Sequence, residues 1–244
     1  LYQHGAPPMC DYDGIDPLWL PISVHFVHGE GHAEVFRRYG YPRRVEVIGF
    51  AYCETVDPSP PVAVSQLLFA PIHPWADGKT ILPRTQELNR FGYEAFLAHP
   101  APQKVVRHFG GDEPNGIVGR RADVSYIGME QPLMEAIDAA DAVISFGTFA
   151  YMALARGKPV AMLDPYPIGL NDEGTKQAAH YGDYAEYARY PAGIGEAPLD
   201  ELFDRDVEEW KSLFVGGPFQ AERFCDLVYS QRLNRAQRRA LARA

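Results

Sequence analysis

Ala140-Asp141-Ala-Val-Ile-Ser145-Phe-Gly147-Thr148-Phe-Ala-Tyr151-Met-Ala-Leu-Ala155-Arg-Gly157-Lys158-Pro159-Val160-Ala-Met-Leu-Asp164 is the stretch that decides the fold. Ala142–Phe146 is short, apolar and rich in branched side chains, so it reads as a buried strand. Small residues follow, and Thr148–Ala155 reads as a helix that Gly157 ends. Pro159–Leu163 is a second apolar strand, which makes the run a strand–turn–helix–strand unit of the parallel kind. The turn between Ser145 and Thr148 leaves backbone N–H groups free at the positive end of a helix, where a phosphate is favoured. Gly147 lets a ligand approach the backbone, and the Ser145 and Thr148 hydroxyls can donate to it. The alternative is an ordinary connection in which Thr148 only caps the helix.

The same alternation extends outward. Upstream, Ser65–Pro71 is an apolar strand, Gln86–Leu97 an amphipathic helix, and Lys104–Phe109 a strand that ends in Gly110-Gly111. Val124–Ile127 is a short strand and Pro132–Ala139 a helix, while Glu208–Phe214 and Ala221–Arg232 read as closing helices. Before all of these, Ile22–His28, Gly29–Tyr39 and Arg44–Phe50 read as strand, helix and strand. Asp57–Pro61 holds three prolines in five residues and marks a linker. The expected division is therefore 1–61, 62–214 and 215–244: a first unit, a larger parallel α/β domain, and closing helices with a basic tail.

Composition narrows the class. The 244 residues are 46% hydrophobic and carry a formal charge of −9, which suits an enzyme better than a domain that coats nucleic acid. Cys10, Cys53 and Cys225 are far apart with no CxxC pair, so neither a disulfide framework nor a thiolate zinc site is expected, and a cytoplasmic location is the default. No apolar run approaches the ~20 residues of a membrane helix. The chain opens on Leu1 in what reads as a strand end, which suggests missing upstream sequence.

Three further constellations carry chemistry. Gln3-His4-Gly5-Ala6-Pro7 presents a histidine beside glycine in a rigid loop, and imidazole suits removal of a proton from a hydroxyl; a purely structural histidine is the alternative. Arg107-His108-Phe109-Gly110-Gly111 places a planar cation and a second donor at a strand end, fit for phosphate. An ion pair with Asp112 or Glu113 is the competing reading. His25, His28 and His32 span a strand and a helix start without a carboxylate at ligand spacing, so no metal site is assigned to them. Asp11, Asp13 and Asp16 could bind a cation but are read as a solvated loop. The ending from Val228 carries Arg232, Arg235, Arg238, Arg239 and Arg243 with no acid. It reads as a solvated helix end or as a contact to nucleic acid.

Taken together these residues resemble the GT-B superfamily of nucleotide-dependent glycosyltransferases, with the CDP-glycerol glycerophosphotransferase-like group nearest. His4-Gly5-Ala6-Pro7 matches that group's HG-x-P motif, and Phe36 to Pro42 its F-x-x-x-G-Y-P segment. Leu67–Pro71 matches an LLFAP strand, and Ala153 to Val160 the A-L-x-x-GKPV run. Arg107-His108-Phe109-Gly110 is an altered R-x-H-P motif, and Ser145-Phe-Gly147-Thr148 aligns with D-Y-S-S. These departures move the implied donor from CDP-glycerol toward a nucleotide sugar. The Asn234–Arg243 ending is similar in composition to tails of bacteriophage-encoded proteins.

The resemblance implies two Rossmann-type lobes with parallel sheets, the N-terminal one truncated. It implies transfer of a glycosyl, or less fittingly a glycerophosphoryl, group from a UDP- or CDP-linked donor to a hydroxyl. His4 would be the base. Arg107, His108, Gly110, Ser145, Gly147 and Thr148 would hold the diphosphate, with Asp164 and Tyr166 near the nucleoside or sugar. No cofactor or metal is required, and the acceptor would be a polymer or a modified DNA base. Two rivals are a sugar-nucleotide 2-epimerase and a non-catalytic module binding nucleotide, or nucleic acid through the Arg232–Arg243 tail.

Overall fold

The computed structural model describes residues 24–38, 44–53, 63–71, 83–108, 120–128, 130–145, 147–163, 198–204 and 207–230. The chain begins with β1 (Val24–Val27), α1 (Glu30–Arg38) and β2 (Arg44–Val47), and the two strands pair in parallel, Val24 with Arg44 through Val27 with Val47. This is a right-sized βαβ unit, since parallel neighbours need a crossover and a helix supplies it.

Seven elements then build the larger sheet: β3 (Gln66–Phe69), α2 (Pro83–Ala98), β4 (Gln103–Arg107), β5 (Ser125–Ile127), α3 (Leu133–Ala139), β6 (Ala142–Ser145) and α4 (Gly147–Ala155), with β7 (Val160–Met162) closing it. The strand order is β5-β4-β3-β6-β7 and every pairing is parallel. The chain thus starts at the centre, winds outward to β5, then crosses back to lay β6 and β7 on the other side of β3. The expected α/β class with parallel sheets is what the structure has. The short α5 (Leu199–Phe203) is an element the sequence did not announce.

Burial follows the winding. β6 and β7 are buried along their whole length, as strands covered on both faces must be. On one face Leu67, Phe69, Ala142 and Ile144 pack with Tyr93 and Phe96 of α2 and Phe203 of α5. On the other, Leu68, Val143, Val160 and Met162 pack against α3 and α4. Gly92 lets α2 close on the sheet, because a Cβ there would fall 2.2 Å from Leu163 Cδ2 and 3.1 Å from Phe69 Cε2. Asp141 fixes the start of β3, its carboxylate accepting the N–H groups of Ser65 and Gln66 at 2.8 Å each.

The last described stretch ties the two sheets together. α6 (Val207–Trp210) runs into a π-helical turn, Lys211–Val215. The chain then passes the carboxyl end of the small sheet, where Phe50 N–H donates to the Gly217 carbonyl at 2.9 Å and Gln220 N–H to that of Ile48 at 2.8 Å. Helix α7 (221–230) covers the far face of β1, with Phe224, Leu227 and Val228 against Val24, Phe26 and Ile48. Val27, Ala33, Phe50 and Cys53 of the first unit share one apolar cluster with α4 and Val215.

Candidate anion site at the sheet centre

In a doubly wound sheet the ligand crevice opens where the winding reverses, at the carboxyl ends of the two strands that diverge. Here those strands are β3 and β6. Phe69 pairs with both Val106 of β4 and Ile144 of β6, so the next residues, Arg107, Ala70 and Ser145, stand level across three strands. Successive strands are about 4.8 Å apart, which puts Arg107 and Ser145 roughly 10 Å from each other across the reversal.

Ser145 is buried, and its hydroxyl donates to the Ala70 carbonyl at 3.0 Å. A serine has one proton to give, so in this arrangement Ser145 ties the ends of β3 and β6 together where the crevice begins. Gly147 starts α4 immediately after, with no acidic residue in the helix's first turn. No acidic side chain of that first turn therefore offsets its N–H groups. Thr148 lies in the same turn.

Arg107 is the most informative side chain. It is only 3% exposed; Nη1 donates to the Gln131 carbonyl at 2.8 Å, while the buried Nε has no hydrogen-bond partner among the described residues. Burial pulls the guanidinium below its usual range, an effect that the nearby Glu130 carboxylate opposes. Arginine nevertheless remains a cation in proteins, and a buried cation with an idle donor costs stability unless an anion arrives. His108 beside it donates its backbone N–H to Ile127 at 3.0 Å, and its Nδ1 is likewise buried without a partner.

The loop after β5 completes the surroundings. Glu130 Oε1 accepts the Gly128 N–H at 2.8 Å. Hydrogen bonds from its own N–H and from Gly128, aided by the charges of His108 and Arg107, hold this carboxyl below the usual carboxylate range. The sequence reading passed over Glu130 and Gln131. A glycine at a strand end with a carboxylate two residues on was the available signal.

The GKPV segment proves architectural. Gly157 adopts φ 70° and closes α4, its N–H donating to Leu154 at 2.9 Å and that of Lys158 to Ala153 at 2.9 Å. Lys158 Nζ donates to the Asp138 carbonyl at 3.0 Å, and Arg156 forms a two-pronged ion pair with the Asp138 carboxylate at 2.6 Å. The histidines divide: His25 and His28 are buried on β1 and just beyond it, with the His28 ring 4.6 Å from that of Phe50. Among the described residues no group of three or more His, Cys, Asp or Glu side chains could hold a metal ion. His4, Gly110, Asp164, Tyr166 and the Arg232–Arg243 tail lie outside the described residues. Among those described, no helix is long and apolar enough to cross a membrane.

No family model matches the sequence, and no curated protein matches it significantly. Among solved structures the chain is similar to the calicheamicin glycosyltransferase CalG4, with a TM-score of 0.49 and 19% identity over 89% of this chain and 55% of that one. It is also similar to the glycosyltransferase SnogD from Streptomyces nogalater, with a TM-score of 0.41 and 15% identity over 84% of this chain and 65% of that one. The chain thus spans a little over half the length of the first structure and under two thirds of the second.

Proposed function

We propose that the carboxyl edge of the larger sheet binds the diphosphate of a nucleotide-linked donor, and that the protein transfers a glycosyl group from it to a hydroxyl. The observation that carries this reading is Arg107, a buried guanidinium, near a winding reversal, whose Nε has no partner among the described residues. Glycosyl transfer from a nucleotide leaves a diphosphate on which negative charge grows as the bond breaks. Arg107, with the free N–H groups at the start of α4, would stabilise that growing charge in a water-poor setting. Ser145 would keep the two strand ends in register beneath it, with Gly147 and Thr148 at the helix start and His108 as a further donor.

The rest of the reading comes from the GT-B resemblance. His4 would take the proton of the acceptor hydroxyl; Asp164 and Tyr166 would meet the nucleoside or sugar; Gly110 would let the loop after β4 approach the phosphates.

Thermal shift against UDP, CDP, GDP and ADP tests the donor half. At a hundred times Kd a ligand stabilises the fold by about 2.7 kcal/mol, or roughly 5–10 °C for a chain of this size. We expect one nucleotide to do so, and Arg107→Met to abolish the shift while Arg107→Lys keeps part of it. An undiminished shift in folded Arg107→Met removes the diphosphate from this site. Hydrolysis of the donor with and without acceptor, in wild type and His4→Ala, tests the transfer half.

A further inference from the structure

Among the described residues Arg107 Nε and His108 Nδ1 have no hydrogen-bond partner, and a carboxylate stands close to both. Glu130 forms no ion pair with Arg107: the guanidinium donates to Gln131, and the Glu130 carboxylate is turned back onto the Gly128 N–H. A Cβ at position 128 would lie 2.3 Å from Glu130 Oε2, so a larger residue there would turn the carboxylate aside. Arg107 and His108 both act electrostatically on Glu130. The exposed carboxylate is thus drawn onto the backbone, near the cation and without an ion pair to it.

We propose that Glu130 is a charge filter for this site: a negative group beside Arg107 that weakens the binding of bare anions and leaves the site to ligands with hydrogen-bond donors of their own. This rests on the reading of Arg107 as the anion-binding residue. The physics is a balance of two charges. An incoming phosphate gains the attraction of Arg107 and suffers the repulsion of Glu130, and at protein-surface screening one unit charge a few ångströms away is worth about a tenfold change in affinity. A ligand that places a hydroxyl on the carboxylate recovers the loss by donating to it. Fully ionised pyrophosphate has no such hydroxyl; a nucleoside diphosphate has them on its ribose. The bond from the Gly128 N–H keeps one carboxylate oxygen on the backbone.

Calorimetric titration of the whole chain with pyrophosphate and with the nucleoside diphosphate chosen by thermal shift decides the matter. Glu130→Gln keeps the shape and one acceptor oxygen and loses the charge. Its affinity for pyrophosphate should rise about tenfold, and the preference for the nucleotide over pyrophosphate should shrink by a similar factor. An unchanged or lower pyrophosphate affinity overturns the filter. Arg107→Met separates this from the underlying reading: it should lose pyrophosphate binding in both backgrounds. If Arg107→Met binds as wild type does, the site itself is misassigned. If it loses binding while Glu130→Gln gains nothing, only the filter falls. No measurable pyrophosphate binding in either wild type or Glu130→Gln overturns both.

Discussion

His25 sits within β1 at 4% exposure, and burial pulls its imidazole from 6.5 down to about 4. The unfolded chain therefore takes up a proton near pH 6.5, whereas the folded chain resists until near pH 4. Between those values the unfolded state binds more protons, so stability falls as pH falls through that window and is fully present above it. Going from pH 7 to pH 5 should cost on the order of 2 kcal/mol from this residue. Denaturant midpoints across that range should show the slope in wild type and a flatter one in His25→Gln. A second residue-scale expectation concerns Ser145. Its bond to the Ala70 carbonyl contributes about 1 kcal/mol, so Ser145→Ala should lower the midpoint modestly. If Ser145 only holds the strand ends, donor affinity in that variant should fall little.

The elements show where a sequence is legible and where it is not. Gly92 lies mid-helix in α2, which costs ~1 kcal/mol relative to alanine. Yet Gly92→Ala should destabilise, because the new methyl would press on Leu163 and Phe69, both wholly buried. Overpacking of that kind costs about 1–3 kcal/mol, and equilibrium unfolding of the variant measures which effect wins. The sheet packed against it explains the presence of that glycine. The strand β6 and helix α4 were plain in the sequence because their apolar residues and the Gly157 stop are local signals. The short α5 was not, since its single turn depends on Leu202 and Phe203 finding a core built by distant strands. The same division runs through the site. Arg107 and Ser145 could be named from their strand ends. That Ser145 would donate to Ala70, and that Glu130 would stand near Arg107, depends on residues brought together by the winding of the sheet.

At the scale of the whole molecule the two sheets are bound by a shared core and by a narrow crossing. Gly216 and Gly49 both have positive φ, 71° and 79°, and a Cβ on either would fall 2.2 Å from a backbone carbonyl oxygen, of His28 and Pro218 respectively. Gly216→Ala would add left-handed strain of ~1–2 kcal/mol to that clash, so a loss well beyond 2 kcal/mol is expected in chemical denaturation. Because Val27, Ala33, Phe50 and Cys53 share a cluster with α4, both sheets should unfold in one calorimetric transition rather than two. That arrangement also sets a timetable for the ribosome. Val24, Phe26 and Ile48 emerge well before their cover, Phe224, Leu227 and Val228. At about 5–20 residues per second of synthesis, the apolar face waits roughly ten to forty seconds for its partner. During that interval the nascent chain is a client for whatever chaperone meets it at the exit tunnel.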